Sequence, residues 1–200
     1  MRDLAWRGLD WDEGPGKGGP HSPYLQSERT PFYEECLARL EAMGLVYPCF
    51  CSRAELHAPN APHLSDGTFL YSGKCRELNA QEIAEKSKKR KPALRICVPD
   101  KTVGFTDGCQ GFYEENLARG CGDFILRRSD GVFAYQLAVS ADDGAMGVTA
   151  VVRGKDLLAS TPRQIWLIEL LGYAPPRYCH LPLLLSQDVR RLSQRVRDLD

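Results

Sequence analysis

The 200-residue chain reads as an α/β protein: the later part of a parallel sheet, interrupted by a small cysteine-stapled insertion. Three observations carry this. After Asp123 the runs Phe124–Arg128, Val132–Val139 and Val148–Val152 are apolar, β-branched or aromatic, as in buried strands. Thr161-Pro162-Arg163-Gln164 then opens a helix, and the apolar run Leu181–Leu185 follows it, completing a strand–helix–strand order. Residues 49–79 show little periodicity but gather Cys49, Cys51 and Cys75, so that stretch needs a staple other than an apolar core.

The elements follow in chain order. Asp3-Leu4-Ala5-Trp6 reads as the tail of a helix. Glu13 to Ser22, with Gly14, Pro15, Gly16, Gly18, Gly19 and Pro20, reads as an exposed loop. Thr30 suits an N-cap and Pro31 a first helical turn; Leu37, Leu40 and Met43 fall at helical spacing, and Gly44 stops the helix. Asn79 with Glu82 three residues later predicts a capped helix to Lys91, ended by Pro92, and Ala93–Val98 reads as a strand. In the last helix Thr161 is the expected cap with Pro162 at the first position; Ile165, Ile168 and Leu171 are its apolar face and Gly172 its stop. An α/β domain normally opens with a strand and a phosphate-binding turn. The first fifty residues hold no G-x-G-x-x-G and no Walker loop, so the expectation is a chain whose N-terminal catalytic segment is missing.

Twenty-six Lys and Arg balance twenty-six Asp and Glu, which excludes a strongly basic nucleic-acid binder at whole-chain level. No apolar run reaches the roughly 18–20 residues that span a bilayer, and the N-terminus lacks a signal-peptide core. The expectation is a cytoplasmic protein, with no membrane partner, whose eight cysteines are thiols, metal ligands or nucleophiles rather than disulfides.

Three constellations could carry chemistry. Cys49-Phe50-Cys51 places two thiols on one side of an extended segment, and Cys75 lies 24 residues beyond Cys51. Soft thiolates suit zinc, which takes four ligands in a tetrahedron. The fourth ligand is open among His57, His63, Asp66 and Tyr71, and donor chemistry alone favours a His. The bland alternative is three buried thiols. The second constellation is Tyr135 in an apolar run and Arg153 at a strand end beside Gly154, where an Arg fork suits a carboxylate. Its bland alternative is a buried Tyr and an Arg paired with Asp142 or Asp143. The third is Arg190-Arg191-Leu192-Ser193-Gln194-Arg195, either a phosphate-gripping loop or a solvated tail. The cationic run Lys86–Lys91 reads as a solvated helix face.

Together these stretches resemble the glutamyl-Q tRNA(Asp) synthetases, short paralogues of glutamyl-tRNA synthetase within class I. The resemblance covers nearly the whole chain. It runs through Asp3-Leu4-Ala5-Trp6-Arg7-Gly8-Leu9-Asp10-Trp11-Asp12, Tyr24-Leu25-Gln26-Ser27-Glu28-Arg29 and Gly44-Leu45-Val46-Tyr47-Pro48-Cys49-Phe50-Cys51-Ser52-Arg53. It is strongest from Gly122-Asp123-Phe124-Ile125-Leu126-Arg127-Arg128 to Ser160-Thr161-Pro162-Arg163-Gln164. Arg153-Gly154-Lys155-Asp156-Leu157-Leu158 is similar to the glutamyl-Q type, since protein-charging enzymes usually carry a His before the final Leu.

The resemblance implies a Rossmann-like class I core lacking its first strand and turn. Residues 1–48 and 121–200 would belong to that core and 49–120 to a zinc-stapled insertion. It implies Tyr71 as the fourth zinc ligand beside Cys49, Cys51 and Cys75, glutamate binding by Tyr135 and Arg153, and a K-M-S-K-S-like ATP loop at Arg191–Arg195. The implied reaction is ATP-dependent glutamate activation, with Mg2+, followed by transfer to the queuosine base of tRNA(Asp) by a monomer. The family's H-I-G-H-like motif and an acidic glutamate-binding residue lie upstream of Met1. The loop's Lys is Gln194 here, and loss of one charged transition-state contact costs about 10²–10³ in rate. The expectation is therefore impaired or absent activity in this chain. A fragment of a glutamyl-tRNA synthetase is the alternative within the family; a non-catalytic, zinc-stapled RNA- or protein-binding module is the alternative outside it.

Overall fold

The computed structural model describes residues 2–52, 55 and 70–184. A short helix α1 (Arg2–Trp6) and the glycine-rich loop lead to α2 (Thr30–Ala42). Tyr33, Cys36, Leu37 and Leu40 recur at helical spacing and form the buried face of α2. Gly44, at φ +73°, turns the chain out of the helix into β1 (Val46–Cys49). After the cysteine-rich stretch come α3 (Ala80–Lys89), β2 (Ala93–Ile96), the hairpin β3 (Thr102–Asp107) and β4 (Gly111–Asn116), and the single turn α4 (Leu117–Gly120). Then follow β5 (Phe124–Arg127), α5 (Tyr135–Ala145), β6 (Ala150–Gly154), a 3-10 segment (Lys155–Ser160), α6 (Thr161–Leu170) and β7 (Arg177–Leu181).

The strands form three groups. β1, β2 and β5 make an antiparallel sheet with β2 in the middle, β3 pairs with β4, and β6 pairs with β7 in parallel. The parallel pair with α6 between its strands is the crossover expected from the sequence. A boundary at residue 49 or 120 crosses the three-stranded sheet, because β2 lies between β1 and β5. Leu40, Ile96, Leu117, Leu126, Leu137, Leu167 and Leu171 are buried in one core beneath these layers. Each fully buried aliphatic side chain of this kind stabilises by about 1.5–3 kcal/mol.

Several local expectations need correction. Val132–Val139 is not a strand. Its first residues bridge back to β5, with the Ala134 amide donating to Leu126 O (2.8 Å), and the chain then turns into α5. Leu137, Ala138 and Ala141 bury one helical face, a spacing hidden by the β-branched residues at both ends of the run. The last described strand is Arg177–Leu181, and 182–184 do not continue it; it alternates buried Tyr178 and His180 with less buried residues, so its pattern is not a continuous apolar run. Thr30 and Thr161 start their helices instead of capping them, and neither preceding residue makes a side-chain cap bond. The Asn79–Glu82 capping box forms as expected. Cys109 and Cys179 are bridged sulfur to sulfur, against the expectation of free thiols. The Gly108 amide donates to Tyr178 O (2.9 Å), which seats the hairpin turn on β7 and brings the two cysteines together.

Candidate functional site

The first site forms where β1 ends. Its extended backbone holds Cys49 and Cys51 on one side, and the chain returns through Tyr71 to Cys75. The three sulfurs lie within 4.8 Å of one another, and Cys49 and Cys75 are buried. Cys51 Sγ is 3.6 Å from Cys75 Sγ, and Tyr71 Oη lies 3.5 Å from Cys49 Sγ and 3.8 Å from Cys51 Sγ. A zinc tetrahedron with bonds of about 2.3 Å to sulfur and about 2.0 Å to oxygen has edges of about 3.5–3.8 Å. The three thiols fit zinc in chemistry, and the three donor separations given, including the two to Tyr71, are close to those edges. Burial resists ionisation of Cys49, yet the Tyr71 hydroxyl, the Cys51 amide and the Arg95 guanidinium outweigh it and lower its pKa. Cys51 is pushed up to about 12, by burial first and then by Cys49. Arg95 sits 3.9 Å over the Tyr71 ring and fixes its direction. His57, His63 and Asp66 lie outside the described residues.

This loop is tied to the sheet by one carboxylate. Asp123 is 1% exposed and accepts from Tyr47 Oη (2.6 Å), Arg76 Nε (2.9 Å), Arg76 Nη2 (2.5 Å) and the Val98 amide (2.9 Å). Arg76 directly follows Cys75, so the same carboxylate anchors the third thiol.

The second site surrounds Arg153 on β6. Its Nε donates to His180 Nε2 (3.0 Å), and its Nη2 donates to Thr161 Oγ1 (2.8 Å) and Gln164 Oε1 (2.7 Å). Gln164 in turn donates to Gln136 Oε1 (2.9 Å), the residue after Tyr135 on α5. Every acceptor on Arg153 is neutral or shared, and among the described residues its Nη1 makes no hydrogen bond. The pairing with Asp142 does not form, because Asp142 is taken by Arg29 Nε (2.7 Å) and Tyr33 Oη (2.7 Å). Asp143 makes no ion pair within 4.0 Å among the described residues either. Its carboxyl is pushed up to about 6, by burial first, with the Arg153 cation pulling the other way and Asp142 adding to the rise. Tyr135 opens α5 and is 47% exposed, so it is not the buried tyrosine of the bland alternative. The buried tyrosine is Tyr178, raised by its burial and then influenced by Arg153, Asp143 and Tyr135. A guanidinium held in this way, with Nη1 not hydrogen-bonded among the described residues, has the donor geometry that suits a carboxylate.

The sequence singled out Arg153 but missed the groups that hold it: Thr161, Gln164, His180 and, behind His180, Asp107. A polar residue inside the alternation of Arg177–Leu181 was the one available signal for His180. Asp107 had none, since the hairpin β3–β4 was not anticipated. The loop Arg191, Leu192, Ser193, Gln194 and Arg195 lies outside the described residues. No described helix is long and apolar enough to cross a membrane.

The profile of the family described as tRNA synthetases class I (E and Q), catalytic domain, matches residues 1–199. The chain is 52% identical over 202 residues to a glutamyl-Q tRNA(Asp) synthetase of Nitratidesulfovibrio vulgaris, covering 100% of this chain and 62% of that protein. It is 52% identical over 199 residues to the protein of that name from Symbiobacterium thermophilum, covering 98% and 61%. A glutamate–tRNA ligase of a Sulfurihydrogenibium species is 44% identical over 98% of this chain and 41% of its own length. The chain thus spans less than two thirds of these curated relatives. Among solved structures, a glutamate tRNA ligase from Elizabethkingia meningosepticum in complex with its amino acid superposes with a TM-score of 0.81 at 29% identity, over 98% of this chain and 41% of that one.

Proposed function

Since this chain belongs to the class I tRNA synthetase (E and Q) catalytic-domain family, we propose that it takes part in ATP-dependent activation of glutamate and its transfer to the queuosine base of tRNA(Asp). The observation that carries the reading is Arg153: a guanidinium fixed by three hydrogen bonds to uncharged side chains, with no carboxylate hydrogen-bonded to it among the described residues. Arg153 binds a carboxylate of glutamate through its spare donors, and Tyr135 lines the same crevice. Activation joins the other carboxylate of the α-carbon end to the α-phosphate of ATP, releasing pyrophosphate; Mg2+ accompanies the nucleotide. The protein's contribution is positioning and charge stabilisation. Arg191, Leu192, Ser193, Gln194 and Arg195 serve as the ATP loop in this reading.

Cys49, Cys51, Tyr71 and Cys75 would hold zinc, which supplies cross-linking energy to a stretch without an apolar core. Residues 1–48 and 121–200 form the catalytic core, and 49–120 the stapled insertion that lends β2 to the core's sheet. The protein works as a cytoplasmic monomer. The 52% identity to two glutamyl-Q tRNA(Asp) synthetases supports queuosine-bearing tRNA(Asp) as the acceptor over a protein-charging role.

Glutamate-dependent ATP–pyrophosphate exchange, run with and without tRNA beside calorimetric glutamate binding, tests this. Exchange without tRNA supports the reading. Exchange only with tRNA assigns a glutamate–tRNA ligase, and RNA binding with neither exchange nor glutamate binding assigns a binding module.

A further inference from the structure

The guanidinium of Arg153 is held from behind by a buried pair. In the parallel β6–β7 register Arg153 lies opposite His180, and Arg153 Nε donates to His180 Nε2 at 3.0 Å. On its other side His180 Nδ1 is 2.5 Å from Asp107 Oδ2, and both side chains are fully buried. Asp107 is itself saturated: its carboxylate accepts the amides of Cys109 (2.9 Å), Gln110 (2.9 Å) and His180 (3.0 Å). The imidazole is walled by rings, with Tyr178 stacked at 6.0 Å and Phe105 at 6.3 Å.

The donor inventory settles the tautomer. An arginine has donors and no acceptor, so the nitrogen facing Arg153 Nε must carry a lone pair. Asp107 is ionised. Burial would raise its pKa, but the His180 amide and imidazole and the amides of Cys109 and Gln110 outweigh it and hold it well below the usual range. An ionised carboxylate can only accept, so the imidazole proton sits on Nδ1 and points at Asp107. Nε2 also lies 3.2 Å from Thr161 Oγ1, whose own proton goes to Leu157 O, but a proton on Nε2 would still set two N–H donors against each other across the 3.0 Å to Arg153 Nε.

We infer that Asp107 and His180 are positioning residues for Arg153: the carboxylate fixes the imidazole as its neutral Nδ1–H tautomer, and the bare Nε2 fixes the guanidinium with Nη1 left for the substrate carboxylate. This rests on the reading of Arg153 as a glutamate contact. Thr161 and Gln164 hold Nη2, so the relay on Nε is the constraint that removes the remaining rotation of the fork. Asp107 and His180 touch no substrate. They act through the orientation of Arg153, and small misplacements of such a group cost about 10²-fold in favourable cases.

The test uses the 15N-labelled chain at pH 7, with His180 assigned among the four histidines by comparison with His180→Gln. Long-range nitrogen–proton correlation should show a protonated, pyrrole-like Nδ1 and a bare, pyridine-like Nε2, together with a protected Arg153 Nε–H signal. Asp107→Asn can donate to Nδ1, which moves the proton to Nε2. The Arg153 Nε–H signal should then be lost and the glutamate Kd should rise about tenfold or more. His180→Gln keeps an acceptor for Arg153 and should retain binding within a few-fold. A wild-type His180 protonated on Nε2 overturns the relay, as does Asp107→Asn that shifts the tautomer without moving glutamate affinity. If Asp107→Asn fails to fold, the wild-type nitrogen pattern and His180→Gln still decide. Absence of glutamate binding in the wild type counts against the role of Arg153 in binding, and the nitrogen and Arg153 Nε–H signals then judge the relay separately.

Discussion

Replacing Asp123 by Asn should be among the most damaging single-atom changes in the described chain. The carboxylate is 1% exposed and collects four hydrogen bonds, two of them from one face of Arg76. Asn retains one acceptor oxygen but turns the other into an NH2, which must then face Arg76 in either orientation, together with the Tyr47 hydroxyl or the Val98 amide. Breaking a buried charged pair from one side costs about 3–5 kcal/mol. Arg76 is 42% exposed, so water relieves part of its loss and the lower end, about 3 kcal/mol, applies. For a chain of this size each kcal/mol moves Tm by about 2–4 °C, so the expected fall is roughly 6–12 °C. Thermal unfolding followed by circular dichroism reads this directly. Tyr47→Phe removes one of the four bonds and should cost about 1 kcal/mol. Because Arg76 adjoins Cys75, Asp123→Asn should also weaken zinc retention against a chelator while Tyr47→Phe leaves it near wild type. A Tm within about 2 °C of wild type for Asp123→Asn would refute the role given to this carboxylate.

Three further outcomes follow from the same geometry. Purified protein should carry stoichiometric zinc by elemental analysis; Cys75→Ser or a strong chelator should remove it and lower Tm, and a metal-free protein with unchanged Tm would sink the zinc assignment. Arg153→Ala should abolish calorimetric glutamate binding, and Arg153→Lys should weaken it at least tenfold because a lysine lacks the fork that bonds His180, Thr161 and Gln164 together. Folding raises the Asp143 pKa to about 6. Its ionised form is therefore a cost present in full above pH 6 and relieved as pH falls through 6 toward the unfolded value near 3.8. The rise from 3.8 to about 6 corresponds to at most about 3 kcal/mol; because Asp143 is only partly buried and water offsets some of it, Asp143→Asn should stabilise at pH 7.5 by less than that, about 2 kcal/mol, with the gain shrinking toward zero near pH 4; a gain that is flat across that range would contradict the burial assigned to this carboxyl.

Local signals carried much of the architecture. The Asn79–Glu82 capping box, the Gly44 stop, the strand at Ala93 and the helix opened at Thr161-Pro162 all form, because each depends on residues a few positions apart. The motif stretches around Cys49 and Arg153 were likewise legible as strings. What failed was long-range or ambiguous. Val132–Val139 satisfies a strand pattern and a helix pattern alike, and only packing against the core chose the helix. The hairpin β3–β4 pairs over six positions, and its turn is seated on β7 through a residue 70 positions away, a contact that no local pattern announces.

The sequence by itself determined which chemistry was present: three clustered thiols with their fourth partner left open, an arginine fork, and a tyrosine. Tertiary structure alone decided how those groups are paired. Asp142 stands eleven residues before Arg153 yet bonds Arg29, 113 positions away, while Arg153 turns to His180 and, through it, to Asp107. Charge and hydrogen-bond capacity are written in each side chain. Which partner satisfies them depends on which strands and helices meet in the core, and that meeting is set by the burial of apolar faces along the whole chain.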